Sequence, residues 1–269
     1  MDKQPKAGAI SLYKKRGQTP LETLNSLREK YPEYKDEILS YAGRLDPMAE
    51  GVLVVLVGKE TNSPENRKKY LDVDKEYEVE ILLGIETDTY DILGKITHIF
   101  YDASQDTALV SDRDIEKKLK TYVGTFEQEY PPYSSKAVQG KSLFEWARKG
   151  KLAEIEIPKK SVTIYDIEFV NSSTLAGEEI LKKVSEDILK VSGDFRQQEI
   201  IDIWQKNLGD VKNSTKLFQV ITIKMHCSSG TYARALAHDF GIGIGQRALA
   251  YSIKRLKIGS FSAENCLLV

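Results

Sequence analysis

At 269 residues, 41% of them hydrophobic, the chain has room for one large domain or two small ones around a sizeable core. Two cysteines are too few for a zinc site or a disulfide framework, no apolar run approaches the ~20 residues of a membrane span, and MDKQPKAGAI lacks the apolar stretch of a secretory signal. A formal net charge of −1 argues against a chain-wide field for nucleic acid, but twelve of the 39 basic residues cluster at 14–16, 67–69, 148–151 and 254–257.

Residues 9–13 read as a short strand. Thr19, Pro20 and Glu22 then combine an N-cap, a proline at the first helical position and a capping-box glutamate. They predict a helix to about Lys30, with Leu21, Leu24 and Leu27 on or near one face. Residues 43–47, Gly-Arg-Leu-Asp-Pro, form a polar turn. Gly43 permits positive φ, and Pro47 fixes its own φ and steers Asp46 away from the helical region. Six aliphatics at 52–57 follow and end at Gly58, enough for one buried strand. An acidic residue thus sits on a stiff loop beside a core strand, a place that suits chemistry, although a turn aspartate also bonds its own backbone.

Ser63, Pro64 and Glu65 start a second helix. Residues 75–84 are strand-like and carry Tyr77, which also suits a half-buried sheet face. Residues 87–91 are a polar loop, and 94–101 return as a strand. A capped helix is expected over 111–122. Tyr130, Pro131, Pro132 and Tyr133 break the pattern before a short helix over 142–149 and a strand over 161–170. The segment 171–216 changes character, with eight acids, seven bases and two helical patterns at 178–191 and 194–207; it reads as a helical insertion on the sheet. Residues 217–225 resume as a strand, and 231–240 and 246–256 are predicted as the last helices. Arg234 falls in the first turn of one of them, where it opposes the helix dipole and is better understood if a carboxylate faces it. The glycines at 241, 243 and 245 follow that helix and lack a P-loop lysine, so they read as its termination. The irregular alternation, without internal repeat, predicts an α+β fold with a mixed sheet.

Five blocks, in order, resemble the TruB family, the tRNA pseudouridine synthases that modify uridine 55 in the T-loop. GRLDPMAEGVLVVLVG is similar to the family's aspartate motif, and KEYEV with LGIETDTYDILG to its tyrosine motif. PPYSSKAVQGKSLFEWARKG and CSSGTYARALAHDFG match two further blocks, and IKRLKIGSF looks like the closing block of the catalytic domain. The resemblance runs from about Gly8 to Phe261, interrupted at 171–216. It implies a pseudouridine-synthase-like mixed, largely antiparallel sheet with flanking helices. The expected organisation is a single catalytic domain over 1–269, with the insertion at 171–216 and without the C-terminal RNA-binding PUA domain of many members.

The resemblance also implies residue roles. Asp46 matches the catalytic aspartate; a carboxylate there could attack C1′ or remove the C2′ proton of the target uridine. Tyr77 matches the tyrosine that stacks on the target base, and Arg234 the arginine that pairs with the aspartate. Tyr232 and Ile253 fall where family residues contact the base, in the flat apolar pocket that a flipped-out uridine needs. Tyr41 stands where the family has a histidine that pries the loop open by stacking. Arg44 is a departure, since Arg-Leu-Asp resembles the ribosomal and dual-specificity synthases instead. The implied partner is the T-arm of tRNA, bound by a monomer in the cytoplasm with no cofactor, metal or membrane. Two alternatives stay open: the same chemistry on another RNA site, or a non-catalytic RNA-binding or tRNA-folding module.

Overall fold

A computed structural model describes residues 8–99 and 109–269. Strand β1 (Gly8–Lys14) leads through a turn into α1 (Pro20–Lys30). The capping box there is complete: Thr19 Oγ1 accepts from the Glu22 amide at 3.2 Å and Glu22 Oε2 accepts from the Thr19 amide at 2.6 Å. Leu24 and Leu27 are buried, whereas Leu21 turns outward and is 60% exposed. Next come β2 (Leu39–Ala42), β3 (Ala49–Val57), α2 (Pro64–Leu71), β4 (Lys75–Leu83), β5 (Ile85–Thr87) and β6 (Ile96–Ile99). The predicted strand over 94–101 ends outside the described residues.

β3 explains why its aliphatics do not alternate with polar residues. Leu53, Val55 and Val57 pack into a core with Leu24 and Leu27 of α1, while Val52 and Val54 pack with Ala42 and Ile258 on the other side. A strand covered on both faces reads as a continuous apolar run.

Beyond residue 108 the order is α3 (Asp112–Lys120), β7 (Gly124–Glu129), β8 (Ala137–Val138), β9 (Lys141–Ser142), α4 (Leu143–Arg148) and β10 (Lys159–Ala176). β10 runs six residues further than the sequence suggests. Its register shifts between Phe169 and Asn171, and a bulge there breaks the alternation that marks a strand. Asn171, Ser172, Ser173 and Thr174, which the sequence places at the start of the helical insertion, instead pair with the neighbouring strand at Thr222, Ile221, Val220 and Gln219. The helices that follow are α5 (Gly177–Leu189), α6 (Gln197–Leu208) and the short α7 (Val211–Ser214). The first two belong to the main core: Ile180, Val184, Ile188, Ile200, Trp204 and Leu208 are all buried in it, and Trp204 Nε1 donates to the Gly94 carbonyl at 2.9 Å.

The chain ends with β11 (Leu217–Cys227), α8 (Ala233–Gly243), β12 (Ala248–Ile258), β13 (Phe261–Ser262) and β14 (Leu267–Leu268). β12 corrects the helix predicted over 246–256. Residues 248–253 are all buried, with β12 pairing antiparallel to β4 on one edge and parallel to β3 on the other. Among the described residues the main sheet has ten strands, in the order β14-β1-β3-β12-β4-β11-β10-β7 with β2 on β3 and β13 on β12. Only β1–β14 and β3–β12 are parallel pairs within it, so the fold is α+β on a mixed, largely antiparallel sheet. No helix among the described residues is long and apolar enough to cross a membrane.

Candidate active site

The loop before β3 is held from several sides. Gly43 adopts φ 82°, and the Ala49 amide closes a turn on the Asp46 carbonyl at 3.0 Å. The Gly17 amide donates to the Pro47 carbonyl at 2.8 Å. Two buried cations fasten the ends. Lys14 Nζ donates to Ala49 O at 2.6 Å, and Arg255 donates from Nε to Val52 O at 2.7 Å and from Nη1 to Arg44 O at 3.2 Å. Burial pushes the Lys14 ammonium down to about 7, with the Asp46 charge acting against that shift.

Arg234 reaches this loop from the first turn of α8, 188 residues further along the chain. It is 3% exposed, and Nε donates to Asp46 Oδ2 at 2.8 Å. Nη1 donates to Thr89 O at 2.7 Å and Nη2 to Tyr133 O at 3.2 Å. A second carboxylate, Asp91 Oδ2, lies 3.5 Å from Nε. Asp91 Oδ1 accepts from Thr89 Oγ1 at 2.8 Å and from the Leu93 amide at 2.9 Å. Burial pushes the Asp91 carboxyl up to about 6; Arg234 opposes the shift and Asp46 adds to it. The Asp46 side chain is 40% exposed, against 3% for Arg234 and 6% for Asp91. One carboxylate therefore opens outward, backed by a dry network of fixed charge and backbone dipoles.

β12 lies between the strand that follows Asp46 and the strand that carries Tyr77. Ile253 consequently pairs with Ala49 on one side and Val79 on the other, and is 4% exposed. Tyr77 is 7% exposed; burial raises its phenol, and the nearby Arg255 charge opposes this. The main chain of Tyr232 is clasped by buried Gln128, whose Oε1 accepts from the Tyr232 amide at 2.8 Å and whose Nε2 donates to its carbonyl at 3.1 Å. The Tyr232 ring meets Tyr130 edge-on at 5.6 Å, and burial pushes its phenol up to about 12. Tyr77 and Ile253 thus share the main core with Leu45, Met48 and Ala49 of the Asp46 loop, while Tyr232 is half-buried at the start of α8. Tyr41 is grouped differently: its half-buried ring packs on the core under α1, beside Leu39.

Not every residue of the basic clusters faces solvent. Lys14 and Arg255 are buried against the backbone of the Asp46 loop and cannot meet a phosphate. Arg16 is engaged by Ser252 at 2.9 Å, Asp187 at 3.2 Å and Glu50 at 3.6 Å; Arg148 bonds Asp194, and Lys257 pairs with Glu76 at 3.1 Å. Lys15, Arg44 and Lys149 are exposed. Asp91, Thr89 and Tyr133 were given no role by sequence reasoning. The signal that was available for Asp91 is local: Thr87, Thr89 and Asp91 alternate in a loop that leads directly into buried Ile92. Among the described residues no group of three or more His, Cys, Asp or Glu side chains is placed to hold a metal ion.

Asp91 gives the fold an expected pH signature. Its folded value of about 6 exceeds its ordinary 3.8, so the folded state binds the proton more tightly. The stabilisation this confers is present at acid pH and is lost as pH rises through that window. Asp91→Asn lacks the proton site. The difference in unfolding free energy between the two proteins should therefore change between pH 4 and 6 and level off above. Parallel urea-unfolding curves across that range would show that Asp91 titrates normally.

The family model described as TruB family pseudouridylate synthase (N terminal domain) matches residues 33–188. The chain is 30% identical to tRNA pseudouridine synthase B of Borreliella afzelii over 261 residues, covering 97% of this chain and 73% of that protein. It is 31% identical to tRNA pseudouridine synthase B of Thermosipho melanesiensis over 261 residues, covering 97% and 66% respectively. Among solved structures it is similar to a chain of a Cbf5-Nop10-Gar1 complex, with TM-score 0.58 at 18% identity over 98% of this chain and 53% of that one. It is also similar to a chain of an H/ACA RNP bound to a substrate RNA containing 2'-deoxyuridine, with TM-score 0.54 at 17% identity over 98% and 51%. The chain spans about half the length of these solved chains, and at such identities the likeness concerns the fold.

Proposed function

Because the chain belongs to the TruB family of pseudouridylate synthases, we propose that it converts uridine to pseudouridine at position 55 in the T-loop of tRNA, with Asp46 as the catalytic group. The observation that carries this reading is the Asp46–Arg234 pair, in which Asp46 is the exposed end of an otherwise buried charge network. Arg234 holds Oδ2, so Oδ1 is the oxygen offered to a substrate. The reaction breaks the N1–C1′ bond, turns the uracil, joins C5 to C1′ and moves the C5 proton to N1, so nothing is gained or lost. A fixed carboxylate serves either route to the cleaved state, attack on C1′ or removal of the C2′ proton. A preorganised guanidinium behind it needs no reorientation as charge shifts.

The target base must leave its stack to reach Asp46. Tyr77, Tyr232 and Ile253 supply the flat apolar surface against which it rests, and Tyr41 with exposed Arg44 meets the surrounding loop. The protein acts as a monomer on the T-arm, in the cytoplasm. The test is an unmodified tRNA transcript incubated with the protein and mapped by carbodiimide or mass spectrometry. A single new pseudouridine at position 55 is expected. Modification elsewhere would move the target while keeping the chemistry, and no modification of any RNA would favour a binding module.

Stacking by Tyr77 has its own expected result. Tyr77→Phe keeps the ring and should bind tRNA as wild type does. Tyr77→Leu should weaken binding by about 1–3 kcal/mol, the usual value of a base–aromatic stack. Equal affinity for Leu and wild type in a filter-binding titration would make Tyr77 a sheet residue only.

A further inference from the structure

The helix α6 and the connector that leads to it from α5, residues 190–196, lie beyond the residues 33–188 that the family model matches, yet the connector reaches the supports of both Asp46 and Arg234. On the Asp46 side, Asp187 in the last turn of α5 is 3% exposed and takes Arg16 at 3.2 Å and both Lys183 and Lys190 at 2.8 Å. Gly17, next to Arg16, is pressed so closely on Lys190 that a Cβ there would lie 2.5 Å from the lysine Cβ. The amide of Gly17 is the one that holds Pro47, the neighbour of Asp46.

On the Arg234 side, Arg196 has φ 63°, a left-handed backbone that a non-glycine residue keeps only where its surroundings require it. Its guanidinium donates to Asp88 from Nη1 at 2.6 Å and Nη2 at 3.4 Å. It also lies over the Tyr133 ring, 4.6 Å from the centroid, and the Tyr133 hydroxyl donates at 3.1 Å to Asp88 Oδ2, the oxygen that takes Nη1. Asp88 precedes Thr89. Thr89 and Tyr133 provide the two carbonyls that receive the Nη atoms of Arg234. Neither carbonyl sits in a helix or a strand, so the aim of Arg234 is only as firm as these two loops. Arg196 ties one to the other.

We infer that the α5–α6 connector is a positioning device for the reaction, and that Arg196 is its positioning residue on the Arg234 side. This rests on Asp46 being the catalyst. Arg196 touches no reacting atom; it acts by fixing the loops that aim Arg234 at Asp46. Geometry of this kind governs turnover more than substrate affinity.

The test compares wild type, Arg196→Ala, Arg196→Lys and Arg196→Ala/Asp88→Asn, with Asp46→Asn as the inactive control. Three quantities are read: melting temperature, kcat and KM on a tRNA transcript, and the NMR resonance of the Arg234 Nε–H without RNA. Arg196→Ala should melt cooperatively, lose roughly tenfold or more in kcat with KM little changed, and lose the exchange protection of the Arg234 Nε–H. Arg196→Lys should recover part of both, because an ammonium reaches Asp88 but cannot bond it twice or lie flat on Tyr133. Adding Asp88→Asn to Arg196→Ala should cost little more in kcat, because the amide still offers an oxygen to the Lys95 N–H and a polar group to the Tyr133 hydroxyl, and the charge of Asp88 has lost the guanidinium it held. Unchanged kcat and an unchanged Arg234 resonance in Arg196→Ala would overturn the inference. A rise in KM alone would also overturn it, by making Arg196 an RNA contact. Should Arg196→Ala not fold, a folded Arg196→Lys with wild-type kcat and resonance overturns it equally. If wild type itself makes no pseudouridine, the catalytic reading fails on its own, and the Arg234 resonance still reports whether the connector aims the side chain.

Discussion

Asp46→Asn should make no detectable pseudouridine while remaining folded. The amide has nearly the shape of the carboxylate and still offers an oxygen to Arg234 Nε, but it can neither attack C1′ nor usefully accept a proton. The side chain is 40% exposed, and Arg234 keeps Asp91, Thr89 and Tyr133 as partners, so little of the buried network depends on the Asp46 charge. RNA affinity should stay within about tenfold, or ~1.4 kcal/mol, of wild type. A turn aspartate without chemistry would behave in the opposite way. Asparagine serves well in turns, so activity per folded molecule would survive. Pseudouridine yield and thermal melting on one preparation separate the two outcomes, and measurable turnover by a well-folded Asp46→Asn protein would remove the catalytic role.

The largest loss of stability is expected at Arg234. Arg234→Met keeps the length of the side chain and removes every polar contact it makes. Two carbonyls, Thr89 O and Tyr133 O, lose a donor, and Asp91 is left as a buried carboxylate without a counter-charge. Breaking a buried pair from one side costs about 3–5 kcal/mol, because the remaining charge is uncompensated. Part of that cost should return at low pH. Arg234 now holds the Asp91 carboxyl down against burial, and without it Asp91 rises further above about 6. A carboxyl raised by folding is costly above its folded value and is relieved by protonation as pH falls. The deficit of Arg234→Met against wild type should therefore be larger at pH 7.5 than at pH 5. Adding Asp91→Asn should recover stability at pH 7.5, since it removes the stranded charge. Denaturant titrations that place Arg234→Met within 1 kcal/mol of wild type at pH 7.5 would contradict the buried network.

Features that depend on neighbours a few residues away were legible in the amino-acid sequence. The Thr19 capping box, the glycine turn at Gly43, the strand through 52–57 and the place of Arg234 at a helix start all follow from local hydrogen bonding and backbone freedom. The Asp46 loop belongs with them, because a proline, a glycine and an adjoining aliphatic run specify its stiffness. The contact of Asp46 with Arg234, made across 188 residues, was legible only through the resemblance, which implies that this arginine pairs with the aspartate; no local pattern encodes it.

What tertiary structure decided is whatever depends on partners far along the chain. The run at 248–253 has the composition of a helix, but β3 and β4 supply hydrogen bonds on both edges and core packs on both faces, so it becomes the central strand between Asp46 and Tyr77. Lys14 and Arg255 look like surface charge until the backbone carbonyls of the Asp46 loop are found at their tips. Asp91 is an ordinary loop acid by sequence, and only burial against Arg234 gives it a perturbed proton affinity. The charged segment at 177–214 resembles a surface addition because its polar residues dominate its composition. Six of its buried apolar side chains join the main core, and through Asp187 and Arg196 its charges meet partners 171 and 108 residues away, contacts that no local pattern encodes.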